Sequence, residues 1–431
     1  MVPSDAIRRV LLVIFLTLMV FQGVKLWATV VEVRIGQIED PSEPTNFEDY
    51  VVFYAAGRMV LDGDGGSLYD LQAVRDAEHQ VLGRPIDAPE DAEILPYFNP
   101  PFFAALMVSL AALPLDVSTA ISFVVVCVLA AIGAWALTRF LGLRGIDCLI
   151  VAAWFLSWHS TAVAIAQTQL TMLALLAWLG FVVFEMRGQH RRSGLALALT
   201  LAKPQFLVLV IPLLIWQRRW RTLSVFASIA AVLGVISLIV AGPSVMVDYP
   251  KLLIESSRWE HEYSIDPSSM YGLGGFFRRT LGLYDLPLQL VLVPTTLATI
   301  CCAAYSFSKG WHAERPDFAA RAGVVLIASM LISFHFYRQD LAVMPLALVF
   351  GAWYSKQTTG TWGFWPFFAI TGSVLQYLDI NYLFEGGTNL QTLALAGLLI
   401  FLIVKIRRAE LENQVPEDLL QGAARGSSVA A

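Results

Sequence analysis

Long runs of apolar residues recur along almost the whole chain, and short clusters of polar and charged residues separate them. Most runs have the length of about 17 to 25 residues that an α-helix needs to cross a bilayer. They lack the alternation of apolar and polar positions that a membrane β-strand shows. Only helices and closed barrels satisfy their backbone polar groups in lipid. The pattern therefore predicts an all-α polytopic membrane protein with about 11 to 12 transmembrane helices.

The predicted helices follow the apolar runs. The first, expected to stay uncleaved, covers Ala6 to Val30. Uninterrupted helices are predicted near residues 117–138, 147–165, 168–186, 222–241, 287–307, 318–335, 340–355, 362–378 and 389–405. The segment 100–113 is too short to cross and opens with a double proline, which predicts an interfacial or re-entrant helix.

The run over residues 193–217 needs a different interpretation. Basic residues flank both of its ends, and Lys203-Pro204 interrupts it. Because short cytoplasmic loops are enriched in Lys and Arg, both ends belong on the same face of the membrane. Two short helices that meet at Lys203 are therefore predicted.

The distribution of Lys and Arg also predicts the orientation. Arg8 and Arg9 precede the first helix, which places the N-terminus in the cytoplasm. A long first outer loop, 31–116, and a second, 242–286, then lie outside the cell. Residues 1–408 form one transmembrane domain, and 409–431 form a disordered cytoplasmic tail, so both termini are cytoplasmic. The predicted location is the plasma membrane, as a multi-pass protein.

Composition agrees with a membrane protein and excludes several other classes. Hydrophobic residues make up 57% and charged residues 15% of the chain, and its mean hydropathy is +0.64. The net charge of −5 without a basic stripe argues against a nucleic-acid partner. The histidines are scattered without paired ligand spacing, and no Gly-rich phosphate loop follows a strand. No metal and no cofactor are predicted.

Two places in the sequence carry candidate chemistry on physical grounds alone. Asp49 follows Glu48 at the start of an aromatic-rich helix in the first outer loop, where it could be a helix cap or a functional carboxylate. Lys203 lies at a break inside an apolar run. A charge in that position is costly unless it is paired or hydrated, so Lys203 is either a functional residue or a snorkelling lysine. Asp70 is expected to stabilise its loop.

Several short motifs occur at spacings that identify a family resemblance. They are Asn46-Phe-Glu-Asp-Tyr-Val-Val-Phe-Tyr54, Ala55-Ala-Gly-Arg58, Leu68-Tyr-Asp70, Pro96-Tyr-Phe-Asn-Pro-Pro-Phe-Phe103, Gln167-Thr-Gln169, Leu201-Ala-Lys203-Pro204 and the segment Ser333 to Leu341. Together they resemble glycosyltransferase family 87 of the GT-C superfamily, over about residues 45 to 345. The resemblance implies a GT-C-like helix bundle and a polyprenyl-phosphate-mannose-dependent mannosyltransferase.

The resemblance also implies roles for particular residues. An inverting transfer needs a base for the acceptor hydroxyl, and Asp49 is the first candidate, with Glu48 second. The donor phosphate needs cations or hydrogen-bond donors, which Lys203, Arg338 and His335 would supply. A further group is assigned to the sugar or acceptor: Glu48, Tyr54, Gln167, Gln169, Asp340 and His261.

Some alternatives stay open from the sequence. Arg338 and Asp340 could form a mutual ion pair instead, and Gln167 and Gln169 could only cap a turn. The expected partners are a polyprenyl-phosphate sugar donor, a lipid or glycan acceptor, and membrane lipids. The many helices alone would also fit a transporter or flippase of lipid-linked sugars, or a scaffold protein. A transporter would gather its polar residues near the bilayer midplane, whereas here they lie in outer loops and at outer helix ends.

Overall fold

The computed structural model describes most of the chain. The described residues are 17, 20, 21, 23–28, 30, 31, 48–83, 95–256, 259, 266–378 and 389–412, with the side chains of Glu48, Tyr377 and Glu412 left aside. Within these ranges the secondary structure is helical, with no β-strand. The described residues from 17 to 31 are also helical and overlap the first predicted helix. The prediction of an all-α polytopic membrane protein is confirmed.

The helices from residue 48 onward are numbered here in chain order. They are α1 Glu48–Asp62, α2 Leu71–Leu82, α3 Pro101–Ala111, α4 Leu115–Phe140, α5 Ile146–Leu156, α6 His159–Ala166, α7 Thr171–Met186, α8 His190–Ala198, α9 Val210–Trp216, α10 Trp220–Ala241, α11 Val245–Ser256, α12 Leu273–Leu281, α13 Asp285–Ser306, α14 Phe318–Ile332, α15 Met344–Thr359, α16 Trp365–Leu378 and α17 Leu390–Glu412.

Fewer long spans occur than the sequence predicts. In the described ranges α4, α10, α13 and α17 are long and apolar enough to cross a membrane, and the bent pair α5–α6 would make a fifth span. Other apolar helices are shorter, among them α7 and α14. α14 is buried by neighbouring helices along nearly its whole length, so protein rather than lipid surrounds it.

The single helix predicted over 147–165 is wrong. The chain bends by 61° between α5 and α6 at Ser157 and Trp158. A bend in an apolar environment leaves backbone groups that need new partners. The Oε1 atom of Gln376 in α16 accepts a hydrogen bond from the Ser160 N–H at 3.2 Å. This partner lies far along the sequence, and the break contains neither Pro nor Gly to mark it.

The predicted interruption at Lys203 is present. Two 3-10 turns, Leu199–Ala202 and Pro204–Leu207, separate α8 from α9. Lys203 lies between them with φ −132° and ψ 74°, outside the helical region. The following proline explains this, because its ring disfavours a helical conformation in the residue before it. Lys203 therefore projects its side chain from a break between two helical segments.

Basic segments meet at the opposite end of these helices. Glu185 near the end of α7 is fully buried, and its carboxylate accepts from Arg219 at 3.0 Å and from Trp311 at 3.1 Å, with His190 Nδ1 at 3.2 Å. The turns before α8 and α10 and the loop after α13 thus share one end of the bundle. The two ends of the run 193–217 therefore lie at the same end of the helix bundle.

The helices of the first predicted loop form a layer of their own. α1 packs on α2 and α3, and α3 also packs on α10. Gly57 in α1 allows a close approach to α3, since a Cβ there would lie 2.9 Å from the backbone carbon of Met107. Because α1 also carries Asp49, this contact fixes where the Asp49 carboxylate lies.

Gly57→Ala should therefore destabilise the protein by about 1 to 3 kcal/mol, the usual cost of overpacking. The matched control is Gly234→Ala in α10, where an added Cβ has no neighbour within 4 Å. Thermal unfolding in detergent measures both. A Gly57→Ala protein as stable as Gly234→Ala would show that the close packing of α1 on α3 is wrong.

Candidate active site

A cavity of about 410 Å³ lies where the first loop, the α6–α7 turn, the Lys203 break and the segment after α14 meet. Many residues predicted from the sequence line it: Asp49, Gln167, Gln169, Lys203, His335, Arg338 and Asp340. These positions span almost 300 residues of the chain, and the fold brings them to one place. The cavity is therefore the candidate active site.

The Asp49 carboxylate lies inside this cavity and contacts the α6–α7 turn. Its Oδ2 atom accepts a hydrogen bond from Gln169 Nε2 at 2.8 Å. Burial raises the pKa of Asp49, and the hydrogen bond from Gln169 lowers it in part. The net direction is upward, so this carboxyl holds a proton more tightly than an ordinary aspartate. Its described partner is a side chain across the cavity.

Gln169 is presented by a tight turn that follows α6. Thr168 has a φ of 54°, in the left-handed region that non-glycine residues rarely adopt. The N–H of Gln169 then donates back to the carbonyl of Ala164 at 2.8 Å. The turn closes the helix and directs the Gln169 side chain to Asp49. Gln169 therefore does more than cap its turn.

Lys203 is paired with Asp340. Its Nζ atom lies 2.6 Å from Asp340 Oδ1, and the two residues are only 8% and 2% exposed. Asp340 also accepts hydrogen bonds from Thr171 and Gln205 and from the backbone N–H of Tyr337. This ion pair supplies the partner that a buried lysine needs.

Arg338 does not form the alternative pair with Asp340. Asp340 is buried and already holds Lys203, whereas Arg338 is exposed at the cavity. No carboxylate within the described ranges forms an ion pair with Arg338. The arginine is therefore a cation that a negatively charged ligand can reach.

His335 lies between aromatic rings at the cavity wall. Its ring centroid is 4.2 Å from that of Phe98 and 5.1 Å from that of Tyr337. Burial lowers the pKa of His335 to about 4, so the imidazole is neutral at pH 7. Its buried Nδ1 atom has no hydrogen-bond partner among the described residues. His335 can thus offer a hydrogen bond to a ligand, but not a charge.

The structure does not bring every predicted residue to the cavity. The Tyr54 hydroxyl donates to the carbonyl of Leu113 at 2.7 Å, within the packing of α1 and α3. The side chain of Glu48 and the whole of His261 lie outside the described residues. Asp70 caps α2 by accepting from the N–H groups of Gln72 and Ala73, as expected of a loop-stabilising residue.

Sequence reasoning missed several residues that line the cavity. Gln205 comes two positions after Lys203 and hydrogen-bonds Asp340 at 3.4 Å. Asn99 donates from Nδ2 to the carbonyl of Ala202 at 3.1 Å and so ties the first loop to the Lys203 break. Tyr337 and Phe98 also line the cavity, and both lie inside the motifs that resemble the family. Their positions within these motifs are the signal in the sequence that could have identified them.

A metal site does not emerge from the described part of the chain. Those residues contain no group of three or more His, Cys, Asp or Glu side chains placed to hold a metal ion. The lining instead combines carboxylates, cations and a set of neutral amides: Asn99, Gln167, Gln169, Gln205 and Gln339. Amides of this kind both donate and accept hydrogen bonds, as sugar hydroxyls require.

Comparison with known proteins identifies the family. The profile of glycosyltransferase family 87 matches residues 97–333, which is more than half of the chain. The matched region contains Gln167, Gln169 and Lys203; it begins after Asp49 and ends before His335. Curated proteins and solved structures give no match. The match favours a glycosyltransferase over a transporter or a scaffold, and the chain belongs to glycosyltransferase family 87.

Proposed function

We propose that this glycosyltransferase moves mannose from a polyprenyl-phosphate donor to a lipid-linked or glycan acceptor, with inversion at the anomeric carbon. The observation that carries the proposal is the convergence of the half-buried Asp49 carboxylate and two cations, Lys203 and Arg338, on one cavity. The carboxylate suits the attacking hydroxyl, and the cations suit the leaving phosphate. Membership of the family supports a sugar transfer at this site.

Asp49 is proposed as the general base. It would take the proton of the acceptor hydroxyl while that oxygen attacks the anomeric carbon of the donor. A base works best when its pKa lies near the working pH. Burial raises the Asp49 pKa in that direction, and Gln169 orients the carboxylate. Glu48 remains the second candidate on sequence grounds.

The acceptor hydroxyl needs a base, whereas the leaving phosphate needs positive charge. As the new glycosidic bond forms, the bond between the anomeric carbon and the phosphate oxygen breaks, and its electron pair stays on the phosphate. This product is an anion, so it needs positive charge and hydrogen-bond donors more than it needs a proton. Arg338 offers a planar set of donors at the exposed side of the cavity, and Lys203 offers an ammonium inside it.

The remaining polar residues are proposed to bind sugar hydroxyls. The Gln167 Oε1 and His335 Nδ1 atoms are buried without a hydrogen-bond partner among the described residues. Both residues line the cavity that holds Asp49. Since an unpaired buried polar atom is costly, a substrate hydroxyl that pairs with it would gain affinity. The sequence also predicts sugar or acceptor contacts for Asp340, Tyr54 and His261, and for Asp340 the pairing with Lys203 suggests a different role.

The proposed site faces away from the cytoplasm. Thr171 at the start of α7 touches Asp340 at the cavity, and Glu185 at its end gathers the basic segments. The two ends lie roughly 20 Å apart at the rise of an α-helix. Basic segments favour the cytoplasmic side. The cavity would then open at the outer surface of the plasma membrane, with both termini inside.

Asp49→Asn should lower the transfer rate by about two to four orders of magnitude, the usual worth of a general base. The amide keeps the size of the side chain but cannot take the proton. Transfer of labelled mannose from polyprenyl-phosphate-mannose to a lipid extract is the measurement. Asp64→Asn is the matched control, an exposed carboxylate of the same loop that does not line the cavity. Retention of more than about a tenth of the wild-type rate by Asp49→Asn would exclude the base role.

Gln169→Leu should move the acidic limb of the pH–rate profile to higher pH. The base must be deprotonated to act, so the rate rises as pH increases through the Asp49 pKa. Removing the Gln169 hydrogen bond removes an effect that lowers this pKa, and the pKa therefore rises further. Gln80→Leu, on the exposed side of α2, is the control. An acidic limb that stays in place in Gln169→Leu would contradict Asp49 as the titrating group.

Cysteine labelling tests the orientation. In a background without the four native cysteines, Asp64→Cys should react with a membrane-impermeant maleimide added to intact cells. Gln357→Cys, beside Lys356 at the basic end, should react only after permeabilisation. The reverse pattern would place the cavity on the cytoplasmic side.

A further inference from the structure

Lys203, which is proposed to bind the donor phosphate, already forms an ion pair in the structure. Its ammonium lies 2.6 Å from the Asp340 carboxylate, and both residues line the cavity. A lysine that is fully neutralised by an internal carboxylate attracts a second anion only weakly. The function of Lys203 therefore depends on what Asp340 does when a phosphate arrives.

The other contacts of Asp340 bear directly on this question. Oδ1 accepts from Thr171 Oγ1 at 3.3 Å, while Oδ2 accepts from the Tyr337 N–H at 3.3 Å and from Gln205 Nε2 at 3.4 Å. These donors come from three different segments of the chain. If the ammonium turns away, each carboxylate oxygen still has a described hydrogen bond. A carboxylate supported in this way can give up its lysine at a reduced cost.

The Lys203 ammonium can also change its partner from Asp340 to a phosphate. An ammonium has three N–H donors, and among the described residues Lys203 donates to Asp340. Lys203 also lies at a helix break, where its backbone is outside the helical region. The remaining donors can meet a phosphate oxygen inside the cavity.

We propose that Asp340 is a positioning residue that holds the Lys203 ammonium before the donor binds and yields it to the donor phosphate. This inference rests on the proposed lipid-phosphate donor and deepens it. Asp340 acts through Lys203 and through its hydrogen bonds to Thr171, Gln205 and Tyr337. It keeps the buried lysine paired between turnovers, and it competes with the phosphate for the same ammonium.

The first test measures phosphate binding without any transfer reaction. Asp340→Asn removes the competing charge but keeps the side-chain size, so farnesyl phosphate should bind about tenfold tighter, the order expected when one charge-assisted hydrogen bond need not be given up. The gain should vanish in Lys203→Met combined with Asp340→Asn. Farnesol, which lacks the phosphate, should bind all variants alike. The kcat of Asp340→Asn should fall, because the ammonium is no longer held in place.

A second pair of variants covers the case in which Asp340→Asn does not fold. Thr171→Val deletes one hydrogen bond that supports Asp340 when Lys203 leaves, so farnesyl phosphate should bind about threefold to tenfold more weakly. Thr200→Val is the matched control. Thr200 is fully buried near Lys203, it does not line the cavity, and its hydroxyl has no partner among the described residues. It should leave the affinity unchanged.

The outcomes separate this inference from the proposed function. If the ion pair only holds the helices together, Asp340→Asn should be less stable but should gain no affinity for farnesyl phosphate. That result would overturn the proposed exchange, in which Lys203 changes its partner from Asp340 to the phosphate. Equal affinities in Thr171→Val and Thr200→Val overturn it as well. If farnesyl phosphate and farnesol bind the wild-type protein equally, the phosphate donor itself is wrong, and the exchange fails with it.

Discussion

The buried ion pair between Lys203 and Asp340 is the constraint on which the rest of the site depends. A lysine at a helix break inside an apolar protein costs several kcal/mol unless a partner satisfies it. Asp340 comes from a segment 137 residues further along the chain, so the pairing closes a long loop. The same carboxylate also binds Thr171, Gln205 and the backbone of Tyr337. The Asp340 carboxylate thus links three walls of the cavity, one by an ion pair and the others by hydrogen bonds.

The fourth wall comes from the first loop and is held by weaker contacts. Asp49 reaches the cavity because α1 packs closely on α3. There Gln169 Nε2 donates a hydrogen bond to its carboxylate at 2.8 Å. Asn99 adds a hydrogen bond to the carbonyl of Ala202, next to Lys203. Lys203 comes from the break between two short helices, and Asp49 comes from the loop layer. Under the proposed function, the donor phosphate and the acceptor hydroxyl would therefore contact different walls of the cavity.

The sequence predicts those features that depend on one residue and its immediate neighbours. Lys203 stands out because a charge interrupts an apolar run, and the proline after it marks the break that the structure contains. Asp70 was likewise recognisable as a loop residue and caps α2. In these cases the physical cost or benefit is local, and neighbouring residues in the sequence are enough to identify it.

Other features depend on contacts between distant segments, and the sequence could not predict them. The bend between α5 and α6 carries no Pro or Gly signal and relies on Gln376 more than 200 residues away. The choice of Lys203 over Arg338 as the partner of Asp340 depends on which side chain the fold buries. Tyr54 looked like a site residue because it lies beside Asp49 in a motif, but its hydroxyl serves the packing of α1 on α3.

The most direct measurement of the central claim is the stereochemistry of the transfer. Purified protein would receive polyprenyl-phosphate-mannose labelled with ¹³C at the anomeric carbon, together with an envelope lipid extract, and NMR would report the configuration of the labelled product. A single displacement assisted by Asp49 predicts that the label enters the acceptor with the anomeric configuration opposite to that of the donor. Transfer with retained configuration, or no transfer from the lipid-phosphate donor while a nucleotide sugar is consumed directly, would contradict the account.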